Sequence, residues 1–127
     1  MTTFTEGRHA TEGLLSEAEF HRSRDNITIA AGAGLILPGQ VLGKVTASGK
    51  YVPSANASVT GEEGAEVANA IALYGCDATT ADQKIAAITR DAEWNGHTLS
   101  YDATVNDATK KAAKAAQLAA QGIIARY

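Results

Sequence analysis

VANAIALYGCDATTADQKIAAITRDAEW, residues 67–94, holds the two strongest strand signals in the chain. Residues 67–74 and 84–94 are short apolar runs separated by turn-forming residues around Asp77 to Asp82. Runs of this length, bounded by turns, read as two central strands of a sheet. They set the expectation of a β-rich fold, and the flanking segments extend it.

Upstream, residues 27–31 alternate apolar and polar, as a half-buried strand does. Gly32-Ala33-Gly34 interrupts the pattern, which resumes at 35–37 before the Pro38-Gly39 turn. Residues 41–46 and 50–52 flank Ala47-Ser48-Gly49 as a tight hairpin, and 53–66, PSANASVTGEEGAE, read as a polar loop. Downstream, Asn95-Gly96 is the residue pair of a type I′ turn, expected to join Trp94 to a strand at 98–101. One helix follows, with Asn106 as its cap and Asp107 at its positive end. Ala112, Ala115 and Ala119 recur at helical spacing and are expected to lie tight against the sheet or a neighbouring subunit. Lys110, Lys114, Gln117 and Gln121 make the wet face, Gly122 ends the helix, and 123–126 close the fold as a strand. The expected architecture is mainly β, with one Ala-rich α-helix near the C-terminus.

The first 26 residues differ from the rest. Phe4, Leu14, Leu15 and Phe20 are spaced among Thr, Glu, Gly, Arg and His, without a sustained period. This pattern predicts an extended arm over 1–26 and a folded core over 27–127 that survives its removal. Within the arm, Ser16 can cap a single helical turn reaching Arg22. Large apolar side chains with too few neighbours to fold alone suit a segment that orders on a partner, for instance by adding a strand to a sheet edge.

Composition narrows the function. The chain has 127 residues, 45 % hydrophobic but only 6 % aromatic, and a formal net charge of -3. That suits one domain with a small aliphatic core, for which an oligomeric partner is a natural gain. The negative charge argues against nucleic acid, the lack of a long apolar run against membrane insertion, and the scarcity of aromatics against a large small-molecule site. The N-terminus lacks the pattern of a secretion signal, and the lone Cys76 leaves no internal disulfide and no cysteine metal cluster. Folding in a reducing cytoplasm is expected.

The residues with chemical potential do not assemble into a motif. Cys76 and His97 form a nucleophile pair only if the fold brings them together, and a lone cysteine at a strand end is usually a small buried hydrophobe. His9 and His21 are not at metal-ligand spacing, Glu62-Glu63 sits in a polar loop, and Gly32-Ala33-Gly34 lacks the spacing of a phosphate loop. No catalytic residue, cofactor or metal is expected. Trp94 serves either as a sugar-stacking platform or, more commonly beside a turn, as packing across the sheet.

The runs TEGRHATEGLLSEA, SRDNITIAAGAG, LPGQVLGKVTASGKYV, AIALYGCDAT, AAITRDAEWNG and AAQLAAQGIIARY, in this order along nearly the whole chain, resemble the head decoration proteins of tailed phages, the relatives of the lambda-type decoration protein. The resemblance implies a small β-clip-like or barrel-like domain that assembles as a homotrimer on the outer surface of the expanded capsid. It implies the major capsid protein as partner, docking through the N-terminal arm, and a non-enzymatic role in reinforcing the head against its packaged DNA. The protein would be made in the host cytoplasm and end in the virion. Phe4, Leu14, Leu15 and Phe20 are the expected apolar anchors. The alternative is a host-surface or glycan-binding module displayed on the head, with Trp94 and the 53–66 loop as its binding region.

Overall fold

In the computed structural model, which describes residues 2–127, the two runs that set the fold lie side by side. Strand β6 (Ala68–Ala72) pairs antiparallel with β8 (Gln83–Ile88), Ile71 opposite Ile88. Three more strands complete a closed barrel in the order β2-β5-β4-β6-β8: β2 (Arg24–Ile29), β4 (Val41–Lys44) and β5 (Tyr51–Pro53). The closure is narrow, since β2 and β5 meet only at Ile29 and Tyr51. A small separate sheet pairs β3 (Gly34–Ile36) with β7 (Cys76–Ala78). A second, three-stranded sheet has the order β1-β9-β10, formed by β1 (Leu14–Glu17), β9 (Ala92–Asn95) and β10 (Ile123–Arg126). Helix α1 (Ala108–Ala120) packs against β10 and β6. The fold is mainly β with a single helix near the C-terminus, as expected.

The barrel wall separates two cores because side chains alternate along each strand. Ile27, Ile29, Leu42, Ala70, Ala72, Ile85 and Ala87 face inward with Ile36 and Ala78. Their neighbours Val41, Ile71 and Ile88 face outward and meet Trp94, Leu118 and Ile123 of the small sheet and helix. Small inward alanines let a five-stranded barrel close on so little volume. Crowding is greatest where the chain crosses β4: a Cβ on Gly43 would run into the carbonyl of Ala65. Gly43→Ala is therefore expected to destabilise by roughly 1–3 kcal/mol, because the opposing atom is backbone and cannot rotate away. A melting curve unchanged from the parent chain would show that the 53–66 loop yields instead.

Several local expectations are corrected. The run 84–94 is not one strand: it ends at Ile88, and β9 restarts in another sheet at Ala92. The cause is Asp91, left-handed at φ 50, whose carbonyl accepts from the Ser23 hydroxyl and the Ala18 amide. Residues 77–82 are not all turn, since Asp77 and Ala78 belong to β7. Asn95-Gly96 is not a type I′ pair. Asn95 has φ -69, and its side chain caps a 3-10 turn at Gly96–Thr98 by accepting from the His97 amide at 3.0 Å. Glycine at position 96 lets the exposed Tyr127 ring lie over it, a contact that a Cβ would push aside, and backbone handedness plays no part. The strand expected at 98–101 is reduced to one bridge between Ser100 and Gln40.

The helix is capped by Asp107, whose carboxylate accepts from the Lys110 amide at 2.8 Å, one residue later than expected. Its orientation is the larger correction. Leu118 and Lys114 point inward, Gln117 accepts from the Ala68 amide at 2.8 Å, and Ala112 and Ala119 are exposed. Lys114, assigned to the wet face, is 2 % exposed. Its ammonium donates to Ser54 Oγ at 3.0 Å and to the carbonyls of Ala55 and Glu66 at 2.6 and 2.5 Å. Leu118 is the only large aliphatic side chain in the helix, and the lysine stem four residues earlier shares its face. Ala112 and Ala119 thus do not pack against the sheet, and Ala119→Leu is expected to change stability by no more than ~0.5 kcal/mol. A larger loss in thermal denaturation would mean that Ala119 has a neighbour.

Candidate functional site

The segment 1–26 divides into two parts. Residues 2–10 carry no regular structure and are exposed throughout. From Thr11 onward the chain is built into the fold: the Thr11 amide donates to Leu73 O, β1 pairs antiparallel with β9, and Gly13 O accepts from the Asn95 amide at 2.7 Å. Gly13 lies so close over Trp94 that any Cβ would collide with the indole and the Thr98 hydroxyl. No helical turn forms at 16–22; Ser16 and Glu17 extend β1 instead.

The apolar side chains of this segment are placed unequally. Leu14 packs against the Trp94 core. Leu15 is the bulged residue of β1, since Leu14 opposes Trp94 and Ser16 opposes Glu93, and it is left 54 % exposed. Phe4 and Phe20 are 89 % and 87 % exposed. Phe20 sits in a loop closed by Ser23, which is fully buried, accepts from the Ala18 amide at 2.9 Å and donates to Asp91 O at 2.8 Å. Its φ of 61 is a conformation bulky residues seldom adopt, so the loop holds an apolar ring outward at a backbone cost.

Neighbouring groups extend the surface. Residues 6–9 and Glu12 line an open cleft of about 510 Å³ with the exposed Leu37. Arg8 donates to Glu12 at 3.3 Å and to His97 O at 3.4 Å, and His9 pairs with Glu6 at 2.6 Å. Arg24 holds Glu17 in a bidentate pair at 2.6 to 3.0 Å, and this hydrogen bonding keeps the Glu17 carboxyl below its usual range. Arg24 also touches the half-exposed Tyr74. The outer edge of β1 pairs with no other strand among the described residues. Exposed apolar side chains and ion pairs thus recur along residues 4–24, and β1 within that segment has an open edge. Sequence reasoning found Phe4, Leu15 and Phe20 but missed Leu37 and Tyr74, which carry no signal until the fold brings them beside the segment.

The chemical candidates do not come together. Cys76 packs against the barrel interior, where burial pushes its thiol up, and His97 stacks edge-on against Tyr127 with ring centroids 5.3 Å apart. Trp94 is 1 % exposed, its indole donating to Thr98 Oγ1 at 3.1 Å, so it offers no sugar-stacking face. Among the described residues no group of His, Cys, Asp and Glu is placed to hold a metal, and no helix is long and apolar enough to cross a membrane. A family model described as Bacteriophage lambda head decoration protein D matches residues 3–123. Comparison with curated proteins gave no match.

Proposed function

This chain belongs to the bacteriophage lambda head decoration protein D family, and we propose that it acts as a cement on the outside of the expanded phage head. The family assigns a structural role in the capsid, and thus a place in the virion. The finer reading is that residues 2–10, Leu15 and Phe20 dock on the major capsid protein, while Leu14 anchors β1 to the core. One observation carries it: the most exposed large apolar side chains, Phe4 and Phe20, lie on the segment that borders the open edge of β1. Apolar surface of this kind on a soluble domain marks a contact site, and an open edge accepts an added strand.

A ligand that binds the expanded lattice and not its precursor stabilises the expanded state by RT ln(1 + [L]/Kd), about 2.7 kcal/mol per site at a hundredfold excess. Summed over a shell, ordinary contacts suffice to resist packaged DNA. Assembly as a homotrimer, implied by the resemblance, adds avidity because three arms engage together. The outward alanines support such assembly, since Ala108, Ala112, Ala115, Lys111 and Tyr127 line an apolar groove of about 440 Å³ that nothing in the chain fills. Synthesis in the host cytoplasm completes this reading.

The test is mechanical. DNA-filled heads lacking the protein are heated with and without purified chain, and DNA release is followed. The proposal expects release at a higher temperature when the chain is present. The same release profile, with the chain bound, would contradict a cement role.

A further inference from the structure

Among the described residues three non-glycine positions are left-handed: Thr11 at φ 61, Phe20 at φ 61 and Asp91 at φ 50. All three border one strand. Thr11 precedes β1, Phe20 follows it, and Asp91 leads into β9, on which β1 is paired. The chain meets the same backbone requirement with glycine at seven other positions. Glycine at position 20 would carry no steric penalty, so the ring there stands against a backbone preference. Phe20 is 87 % exposed, and packing within the chain therefore does not offset that cost.

The loop that carries Phe20 is fixed at its base and free at its tip. Arg24 and Glu17 close the base with bonds of 2.6 to 3.0 Å. Ser23 is fully buried inside it, its hydroxyl accepting from the Ala18 amide at 2.9 Å and donating to Asp91 O at 2.8 Å. The Ala18 amide is shared with the same Asp91 carbonyl at 3.0 Å, and the Ser23 carbonyl accepts from the Thr89 amide at 2.9 Å. At the tip, Glu19, His21 and Arg22 are exposed and form no ion pair among the described residues. An outward aromatic ring thus stands within a polar rim, on a base tied to β8 and β9.

We propose, building on the capsid-docking function, that residues 18–23 form a preformed docking knob: Phe20 inserts into an apolar pocket of the major capsid protein, and Ser23 is its positioning residue. A ring held out before binding loses little conformational freedom on insertion, which raises affinity without any added contact. An aromatic anchor enclosed by a polar rim is also the usual make-up of an interface hot spot. Ser23 acts only through the loop. Without its hydroxyl the Ala18 amide and the Asp91 carbonyl still bond to each other, so the loop loosens and no buried group is orphaned.

The test is co-sedimentation with expanded, undecorated heads beside thermal denaturation, using the full chain, Phe20→Ala, Phe20→Gly, Ser23→Ala and the double variant Ser23→Ala with Phe20→Ala. Both Phe20 variants are expected to bind at least about tenfold more weakly than the parent. Phe20→Gly should nevertheless melt roughly 3 °C above Phe20→Ala, because only glycine relieves the left-handed backbone. Ser23→Ala should weaken binding about fivefold in the parent and leave Phe20→Ala unchanged, since it acts through the ring. Parent-like binding by Phe20→Ala, equal melting of the two Phe20 variants, or the same loss from Ser23→Ala in both backgrounds would each overturn the proposal. No binding by the parent chain would overturn the docking function and the knob together, whereas a bound parent with an equally bound Phe20→Ala overturns the knob alone.

Discussion

A chain lacking residues 2–10 is expected to melt as the parent does and to lose capsid binding by more than about a hundredfold. The two halves of this expectation rest on different observations. Residues 2–10 are held by exposed side-chain contacts, those of Arg8 with Glu12 and His97 O and of His9 with Glu6, and by one long backbone bond from the Glu12 amide to His9 O at 3.4 Å, so their loss costs the fold no more than ~0.5 kcal/mol. Phe4, the most exposed large apolar residue, leaves with them, as does the backbone that would order on the shell. A cut after residue 22 is a different experiment. It removes β1, the Gly13 contact over Trp94 and the loop pinned by Ser23, so it is expected to unfold the small sheet. Thermal denaturation beside a capsid co-sedimentation assay separates the two. Full binding by the shorter chain would move the docking site onto the folded domain, to Leu15, Phe20, Leu37 and Tyr74.

Lys114→Ala is expected to destabilise the protein by about 3 kcal/mol, lowering the melting temperature by roughly 10 °C for a chain of this size. The ammonium is the donor shared by Ser54, Ala55 O and Glu66 O, and thereby ties α1 to both ends of the 53–66 loop. Without it two carbonyls are left in a space from which water is largely excluded. Burial also pulls the Lys114 ammonium down from its ordinary range, with Asp102 and Glu66 acting in the opposite sense, so the position is one of offset costs rather than free gain. Lys114→Met keeps the stem packing and loses the donor. It is expected to recover less than half of the loss, and full recovery would show that packing alone holds the helix.

Much of the fold was legible because the barrel strands are short apolar runs bounded by turn residues, with a two-residue alternation added on the half-buried β2. Residues 27–29, 41–44, 51–52, 68–72 and 85–88 all lie where the pattern placed them. Errors arose where a single residue changed the partner. Asp91 breaks a continuous apolar run through its own left-handed backbone, and no hydrophobic count registers that. Asn95-Gly96 satisfies the composition of a hairpin, but the glycine makes room for Tyr127, thirty-one positions on, which only the tertiary structure brings near. The helix faced the other way because alanine signals a close approach without saying to what, whereas Leu118 and the stem of Lys114 define the buried side. For the docking face, composition located the segment. It did not show that residues 11–26 are integral to the fold, since their partners Leu73, Asp91 and Trp94 are distant in sequence.

The most direct measurement is co-sedimentation of the full-length chain with purified heads in two states, expanded and unexpanded, both undecorated. Saturable binding at least tenfold tighter to expanded heads is the result expected of a protein that stabilises the expanded lattice by binding it preferentially. Equal affinity for the two states, or no saturable binding to either, would contradict the account.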